Sequence, residues 1–220
     1  MSTVGIVCEY NPFHKGHLYQ IEQAKKLTEA DHVVCFMSGN FLQRGIPALA
    51  DKFTRAEAAI KCGVDVIFEI PFVYSTSSAR DYATAAVTMM DMSGAIDFIS
   101  FGAETDDLVL LSQIADIVEN EPPQVSDSIR RSVASGMTYG AARATAIEDY
   151  LQKKDIVRNN PSNSSSSVSK SNISSVMSSP NNILAIEYLA ALKRIKSKIK
   201  PVIIKRIISD YNLSLIHISE

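Results

Sequence analysis

Near its start the chain reads Val4-Gly5-Ile6-Val7-Cys8-Glu9-Tyr10-Asn11-Pro12-Phe13-His14-Lys15-Gly16-His17. The apolar first half is typical of a buried β-strand, and Asn11-Pro12 ends it. Apolar residues then recur every three positions, a pattern that predicts a helix beginning beside the histidines: Leu18, Ile21, Ala24 and Leu27. A helix N-terminus offers unpaired N–H groups and partial positive charge, which suit phosphate. Imidazoles that are protonated, or hold the right tautomer, can add hydrogen bonds to phosphate oxygens.

The alternation of short apolar runs with helical patterns continues along the chain. Strand-like runs occupy residues 32–37, 64–71, 96–101 and 202–207, and helical patterns lie between them. This alternation is typical of an α/β protein with a parallel, doubly wound sheet. We therefore predict a Rossmann-like α/β domain with helical additions.

Three predicted loops follow the carboxyl ends of strands, at residues 11–17, 38–45 and 101–104. Ligands of doubly wound sheets bind beyond these ends, near the point where the strand order reverses. The three loops are therefore expected to surround one site.

The composition limits the class of protein. The chain has 220 residues, 46% of them hydrophobic, and a formal net charge of -2, so one sizeable core is expected and no global basic field. Cys8, Cys35 and Cys62 are odd in number and lack CxxC spacing, which argues against a disulfide framework, a disulfide-linked partner and a zinc site. No apolar run approaches the roughly 20 residues that span a bilayer, and no signal peptide is recognised. We therefore expect a cytoplasmic protein without a membrane partner.

Two segments near the C-terminus depart from this pattern. Residues 153–179 become rich in serine and asparagine and cannot bury a core, so they predict a flexible loop. Residues 213–220 end without a cap or turn, and we expect them to be a truncated or foreign tail of a naturally longer protein. The main domain is accordingly predicted to span residues 1–212.

Longer motifs carry a resemblance to a known family. The His14-Lys15-Gly16-His17 element after a first strand resembles the HxGH signature of the adenylyl- and cytidylyl-transferase superfamily. Residues 5–18 resemble the bacterial tRNA(Met) cytidine acetate ligase family, as do four later segments: Met37-Ser38-Gly39-Asn40-Phe41-Leu42-Gln43-Arg44-Gly45, Phe101-Gly102-Ala103-Glu104, Pro180-Asn181-Asn182-Ile183-Leu184 and Lys205-Arg206-Ile207. The resemblance covers roughly residues 3–211, and the helical C-terminal region that contributes to tRNA binding in that family is expected to be absent.

The resemblance implies a two-step reaction. Acetate and ATP would give acetyl-adenylate and pyrophosphate, and the acetyl group would pass to N4 of the wobble cytidine of elongator tRNA(Met). His14 and His17 would be the catalytic pair, stabilising the departing pyrophosphate with help from Arg206. The implied ATP-binding residues are Val7, Cys8, Glu9, Tyr10, Asn11, Pro12, Phe13, His14, Lys15, Gly16, His17, Leu18, Tyr19, Gln20, Gly102, Asn181 and Arg206. A role toward substrate or tRNA is implied for Ser38, Gly39, Asn40, Gln43, Arg44 and Lys52.

Several of these residues also admit a structural role. Gly102 would let adenosine approach the backbone, and the Asn181 amide could contact ATP or cap its own helix. Glu104, Asp106 and Asp107 could hold Mg²⁺ beside the triphosphate, although acids that cap helices are more usual there, and we predict no dedicated metal site.

The cations leave alternatives open in the same way. Lys52 and Arg55 stand at a predicted helix start, where cations oppose the dipole, so they could serve the site or lie on an exposed face. Arg44 could be solvated or face phosphate or tRNA. The basic stretch at residues 193–200 could be a solvated face or contact an RNA backbone.

Two competing functions remain beside the ligase. One is an adenylyltransferase acting on a small cofactor precursor, a class that usually pairs HxGH with an ISSTxxR-like element. Residues 207–210 only faintly echo that element. The other is a nucleotide-binding or tRNA-binding module without turnover.

Overall fold

The computed structural model describes residues 1–158 and 170–206 of the chain. Within them, five parallel strands form one sheet in the order β3-β2-β1-β4-β5. The strands are β1 (Thr3–Cys8), β2 (His32–Ser38), β3 (Val66–Ile70), β4 (Phe98–Ala103) and β5 (Lys200–Lys205). The predicted doubly wound parallel α/β sheet is therefore confirmed.

Helices connect the strands and cover the sheet. They are α1 (Lys15–Thr28), α2 (Lys52–Lys61), α3 (Phe72–Ser75), α4 (Ala79–Ser93), α5 (Leu108–Asn120), α6 (Pro123–Ala134), α7 (Tyr139–Arg158), α8 (Lys170–Ser178) and α9 (Pro180–Arg194). Local sequence sets several of their ends. The Asp51 side chain accepts hydrogen bonds from the Phe53 and Thr54 N–H groups in the first turn of α2, and Ser78 accepts one from the Asp81 N–H in α4. Gly94 ends α4 in the left-handed conformation that glycine adopts without strain.

The strand order fixes where a ligand can sit. From β1 at the centre the chain builds outward through β2 to β3, then returns to the other side of β1 for β4 and β5. The order therefore reverses between β1 and β4, and the loops after these two strands diverge there. Such a crevice is the usual ligand position in doubly wound sheets.

Each face of the sheet buries its own apolar cluster, because alternate strand residues point to opposite sides. Ile6 and Val33 lie in the cluster beneath α1 and α2. Phe36 and Ile99 lie in the larger cluster on the other face, which also takes side chains from α4, α5 and α9. Both faces are thus covered, and the functional loops are left at the sheet edge.

The predicted flexible loop at residues 153–179 is too wide. Helix α7 continues to Arg158, and α8 occupies Lys170–Ser178. Ile173 and Val176, one helical turn apart, are buried, so a serine-rich segment still packs an apolar stripe. The rest of the predicted loop, residues 159–169, and the predicted tail at 213–220 lie outside the described residues.

No helix in the two described ranges combines the length and apolar character needed to cross a membrane.

Candidate active site

The two histidines of the opening motif form the cap of helix α1. His14 is the N-cap residue, and its Nδ1 accepts a hydrogen bond from the Gly16 N–H at 3.0 Å. His17, in the first turn, accepts a bond from the His14 N–H through its own Nδ1 at 3.3 Å. The two rings stack with centroids 3.7 Å apart. This is a capping box built from imidazoles instead of the usual hydroxyl and carboxylate.

These hydrogen bonds determine which imidazole nitrogen carries the proton. A nitrogen that accepts an N–H bond has no hydrogen of its own, so each neutral ring carries its proton on Nε2. Both Nε2–H groups are then free to donate to a ligand at the helix N-terminus. The histidines can therefore donate hydrogen bonds to phosphate oxygens as neutral Nε2–H tautomers, without being protonated to imidazolium.

The electrostatics agree with neutral rings. Burial lowers the pKa of His17 from 6.5 to about 3, with further lowering by the neighbouring His14 and Arg206. Burial and the Arg206 charge also lower the pKa of His14. Both side chains are therefore neutral hydrogen-bond donors at pH 7 until an anion arrives.

Gly16 is required by the position of the His14 ring. A Cβ on residue 16 would lie 2.9 Å from His14 Cε1, closer than real Cβ contacts allow, and 3.1 Å from its Nδ1, which is also tight. The glycine of the HxGH element therefore makes room for the first histidine to fold back over its own helix.

Aromatic side chains hold the second histidine from below. The His17 ring lies edge-on to Tyr10, with centroids 4.9 Å apart, and tilted against Phe13 at 5.6 Å. Tyr10 is fully buried, its hydroxyl lies 3.2 Å from Cys35 Sγ, and its backbone is left-handed with φ 47°. A non-glycine residue in that region is unusual and stays there only when its surroundings fix it.

The loop after β2 is tied to the loop after β1. Glu9 accepts a hydrogen bond from the Gln43 N–H at 2.7 Å, and Asn11 Oδ1 accepts one from the Leu49 N–H at 2.7 Å. Gln43 also donates through its side chain to the Ser77 carbonyl at 2.9 Å. The predicted residues Glu9, Asn11 and Gln43 thus fasten the two loops to each other.

Arg55 is the main residue of this region whose role the sequence did not show. Its side chain is 2% exposed and donates to the carbonyls of Glu9, Ser38, Gly39 and Ala50. It is therefore not on an exposed helical face, because four carbonyls from three segments surround it. Burial lowers the pKa of the guanidinium from its usual value. The helical spacing of Arg55 gave no sign that its side chain would turn inward to these carbonyls.

The remaining candidates on the β2 side differ in how far other residues engage them. Lys52 pairs with Glu69 at 2.5 Å, and Asn40 Oδ1 accepts from the Lys52 N–H at 3.0 Å. Ser38 is buried, and its hydroxyl lies 3.4 Å from that of Tyr82. Arg44 is exposed at the tip of the loop, and no partner for its side chain lies within the described residues.

A second network lies across the crevice, where β4 and β5 end. Arg206 Nη1 donates to Asn181 Oδ1 at 3.1 Å, and Asn181 Nδ2 donates to Glu104 Oε1 at 2.6 Å. Glu104 Oε2 accepts from the Asn182 N–H at 3.1 Å, so it caps α9, whose own N-cap residue, Ser179, makes no side-chain bond. Asn181 therefore links Arg206 to Glu104 and does not cap its helix.

Gly102 lies under the stem of Arg206. A Cβ on Gly102 would approach Arg206 Cγ to 3.3 Å. The absence of a side chain therefore leaves room for this arginine, which is exposed and also lowers the pKa of both histidines.

The acids near this network act on helices and cations. Asp107 caps α5 by accepting from the Leu110 N–H at 2.9 Å, and Asp106 pairs with Lys205 at 3.2 Å. Nowhere in the described part of the chain do three or more His, Cys, Asp or Glu side chains form a group that could hold a metal ion.

The other predicted ATP-binding residues surround the histidines. Val7 and Cys8 end β1, and burial raises the pKa of the Cys8 thiol, which makes it unreactive. Pro12 follows a cis peptide bond. Lys15, Leu18, Tyr19 and Gln20 lie in the first turns of α1, with Lys15 and Tyr19 exposed.

The basic stretch at residues 193–200 is partly engaged within the fold. Lys193 pairs with Asp116, and Arg194 pairs with Glu119 at 2.5 Å. These first two cations therefore hold α9 to α5.

Comparisons with known proteins agree with this geometry. Residues 1–219 match the family model described as HIGH Nucleotidyl Transferase. The tRNA(Met) cytidine acetate ligase of Caldanaerobacter subterraneus subsp. tengcongensis is 45% identical over 206 residues, which are 94% of this chain and 47% of the relative. The ligase of the same name from Acetivibrio thermocellus is 42% identical over 212 residues, covering 96% of this chain and 47% of the relative.

Two solved structures are similar. Thermotoga maritima TmcAL bound with alpha-thio ATP has a TM-score of 0.84 at 35% identity, covering 94% of this chain and 47% of that chain. The apo form has a TM-score of 0.85 at 34% identity, covering 95% and 46%. The chain therefore spans about half the length of the relatives it matches, and the resemblance predicted from the motifs is confirmed.

Proposed function

The chain belongs to the HIGH nucleotidyl transferase family, and we propose that it carries the adenylation centre of a tRNA(Met) cytidine acetate ligase. The proposed reaction joins acetate and ATP into acetyl-adenylate with release of pyrophosphate, then transfers the acetyl group to N4 of the wobble cytidine of elongator tRNA(Met). One observation carries the proposal. The stacked His14 and His17 rings both accept backbone N–H bonds through Nδ1, which leaves the Nε2–H group of each ring as a donor at the N-terminus of α1.

The proposed position of ATP is the β1–β4 crevice. The triphosphate would lie on the N-terminus of α1, where free N–H groups and the helix dipole favour negative charge. Arg206 faces the same crevice from the β5 side and supplies a full positive charge. The similar Thermotoga maritima protein, whose structure contains alpha-thio ATP, supports this placement.

The first step needs position and charge stabilisation but no protein nucleophile. An acetate oxygen attacks the α-phosphorus, forming the acyl–phosphate bond as the bond to the pyrophosphate oxygen breaks. Negative charge then grows on the departing pyrophosphate. The two Nε2–H groups would donate to that charge, and because the rings are stacked and capped, they need little rearrangement to do so.

Mg²⁺ would enter with the triphosphate and supply charge neutralisation. The acids nearest the crevice are engaged, since Glu104 caps α9 and Asp106 pairs with Lys205. The proposed chemistry therefore does not assign a fixed protein carboxylate to the ion.

The second step is proposed from the activity for which the relatives are named rather than from the histidines. In it the N4 amine attacks the acetyl carbonyl, the C–N bond forms as the bond between the acetyl carbon and the phosphate oxygen breaks, AMP leaves with that electron pair, and N4 gives up a proton to solvent. The acceptor would reach the centre from the exposed β2–β3 side, because β4, β5 and α9 flank the other side.

Acetate-dependent ATP–pyrophosphate exchange with the purified chain tests the proposal. We expect exchange only when acetate is present. His17→Ala removes one donor and should lower the exchange rate by about 100-fold or more. His32→Ala is the matched control, because His32 lies at the amino end of β2, away from the crevice, where its side chain pairs with Asp65 at 3.6 Å.

The alternatives give different results. Exchange that needs a cofactor precursor instead of acetate would identify an adenylyltransferase. ATP binding without any exchange would identify a binding module. Acetylated cytidine formed on elongator tRNA(Met), with initiator tRNA as the control, tests the second step separately.

A further inference from the structure

A second cleft lies at the carboxyl ends of β2 and β3, beside the candidate ATP site. Its lining residues are Gly39, Asn40, Phe41, Glu69, Phe72 and Ser75, and its volume is about 240 Å³. We call it the β2–β3 cleft. None of the functional roles assigned above to the histidines or to Arg206 uses it.

The walls of the β2–β3 cleft are aromatic. Phe41 and Phe72 are 43% and 60% exposed, and their rings meet edge to face with centroids 5.5 Å apart. The buried Ser75 hydroxyl donates to the Phe41 carbonyl at 3.0 Å and fixes that side of the cleft. Exposed aromatic rings beside an enzyme's reaction centre are suited to stacking with a base.

The polar edge of the cleft has one acceptor and one donor, both in fixed orientation. Lys52 Nζ donates to Glu69 Oε2, and Oε1 lies so close to Gly39 that a Cβ there would collide with it. The Lys52 backbone N–H donates to Asn40 Oδ1, which fixes that atom as the amide oxygen. The other terminal atom of the amide is therefore the NH₂ group, a donor. Within the described residues, Glu69 Oε1 and Asn40 Nδ2 have no hydrogen-bond partner of their own.

This pair, one acceptor and one donor, matches the donor and acceptor types on the Watson–Crick edge of cytosine. Cytosine presents an N4 amine, which donates, beside N3, which accepts; uracil presents the reverse pattern. Glu69 can accept from N4, and Asn40 can donate to N3. Adenine shares the donor–acceptor pattern and is therefore the competitor that a test must separate.

The cleft is joined rigidly to the candidate ATP site. Arg55 donates to the carbonyls of Glu9, Ser38 and Gly39, which connects the end of β1 to the rim of the cleft. The Glu9–Gln43 bond joins the same two loops a second time. A base held in the cleft would thus keep a fixed relation to groups bound on α1.

We propose that the β2–β3 cleft holds the acceptor cytosine, with Glu69 accepting from the N4 amine, Asn40 donating to N3, and Phe72 providing the stacking surface. The inference rests on the proposed function for the identity of the acceptor. Glu69 and Asn40 are thereby specificity-determining residues for cytosine over uracil.

Ligand-observed NMR with free nucleosides tests this pocket in the whole 220-residue chain. Cytidine, uridine and adenosine are titrated while a saturating non-hydrolysable ATP analogue occupies the nucleotide site. We expect cytidine to bind about tenfold more tightly than uridine, the lower end of what a bidentate base contact provides. Adenosine should bind more weakly than cytidine. Phe72→Ala should weaken binding of cytidine about tenfold, whereas Val109→Ala, on the exposed face of α5, should not.

The paired variant Glu69→Gln with Asn40→Asp gives the sharpest result. Lys52 would hold the glutamine oxygen, so the new NH₂ would face the cleft, and the carboxylate introduced at position 40 would accept where Asn40 donated. The pair keeps the net charge and the side-chain shapes, and it should reverse the preference so that uridine binds better than cytidine.

The outcomes separate this inference from the proposed function. Acetate-dependent exchange by the wild-type chain supports the proposed function whatever the cleft binds, and its absence overturns both. With exchange intact, four results overturn the cleft assignment alone: no nucleoside binding, equal binding of cytidine and uridine, adenosine binding as tight as that of cytidine, or a paired variant that still prefers cytidine.

Discussion

Gly16→Ala should separate the arrangement of the two histidines from the stability of the fold. The added Cβ would lie 2.9 Å from His14 Cε1, so the ring must move. It cannot move toward His17, which is already stacked on it at 3.7 Å. It must swing outward, which breaks the 3.0 Å bond from the Gly16 N–H to Nδ1 and redirects the Nε2–H donor.

The effects on stability nearly cancel. Alanine in place of glycine stabilises a helix by up to about 1 kcal/mol. Loss of the N-cap bond costs about 1 kcal/mol. The free energy of unfolding should therefore change little. A catalytic donor displaced by about 1 Å can lower a rate by roughly 100-fold, so we expect exchange to fall by that factor.

Acetate-dependent exchange and urea unfolding measure the two effects, and the chain provides a matched control. Gly140 is also the second residue of its helix, but a Cβ there would meet nothing within 4 Å. Gly140→Ala should raise the melting temperature by about 2–4 °C and leave exchange unchanged. If Gly16→Ala behaves like Gly140→Ala in both assays, the position of the His14 ring does not depend on this glycine.

Three further predictions concern the groups around the crevice. The pKa of His17 is 6.5 in the unfolded chain and about 3 in the folded one, so between these values the unfolded chain binds a proton that the native chain does not. The free energy of unfolding should therefore decrease as the pH is lowered from 6.5, by up to about 1.4 kcal/mol per pH unit. Urea unfolding at several pH values should show a smaller decrease in His17→Asn. Arg55→Lys leaves buried carbonyls unpaired and should cost about 3 kcal/mol in urea unfolding; a loss below about 1 kcal/mol would contradict the contacts described. Glu104→Ala removes the α9 cap, so the free energy of unfolding should fall by about 1 kcal/mol. It also removes the partner of Asn181, so the KM for ATP should rise by a larger factor than kcat falls. An unchanged KM would argue against a role of the Arg206 network in ATP binding.

The sequence predicted what depends on local pattern. Strand and helix alternation predicted the parallel sheet, and the short distance from β1 to His14 and His17 predicted their position at a helix start. Both depend on residues within a few positions of each other. The one local pattern that misled was serine-rich composition, which hid the apolar stripe of α8.

Contacts between distant residues were not predictable in the same way. Arg55 has ordinary helical spacing, and only its tertiary partners at residues 9 and 38 show that it is buried. Glu104 was expected either to hold Mg²⁺ or to cap a helix, but the sequence did not show which helix: it caps α9, whose Asn182 lies 78 residues further along the chain. A single sequence contains no local pattern that indicates such contacts, because the two partners lie far apart along the chain.

The two sides of the crevice differ in how firmly their polar groups are held, and this bears on how a triphosphate would bind. On the β1 side, His14 and His17 are capped, stacked and neutral, so their donors are in place beforehand. On the β5 side, Arg206 is exposed and bonded to a neutral amide oxygen of Asn181. A phosphate is a stronger partner for a guanidinium than an amide is, because the bond is charge-assisted at both ends. ATP would therefore draw Arg206 away from Asn181 at small cost. The negative charge of the triphosphate would also stabilise protonated imidazole and so raise the pKa of both histidines. Binding would thus be adjusted on the arginine side, while the geometry that stabilises the leaving pyrophosphate stays fixed on the histidine side.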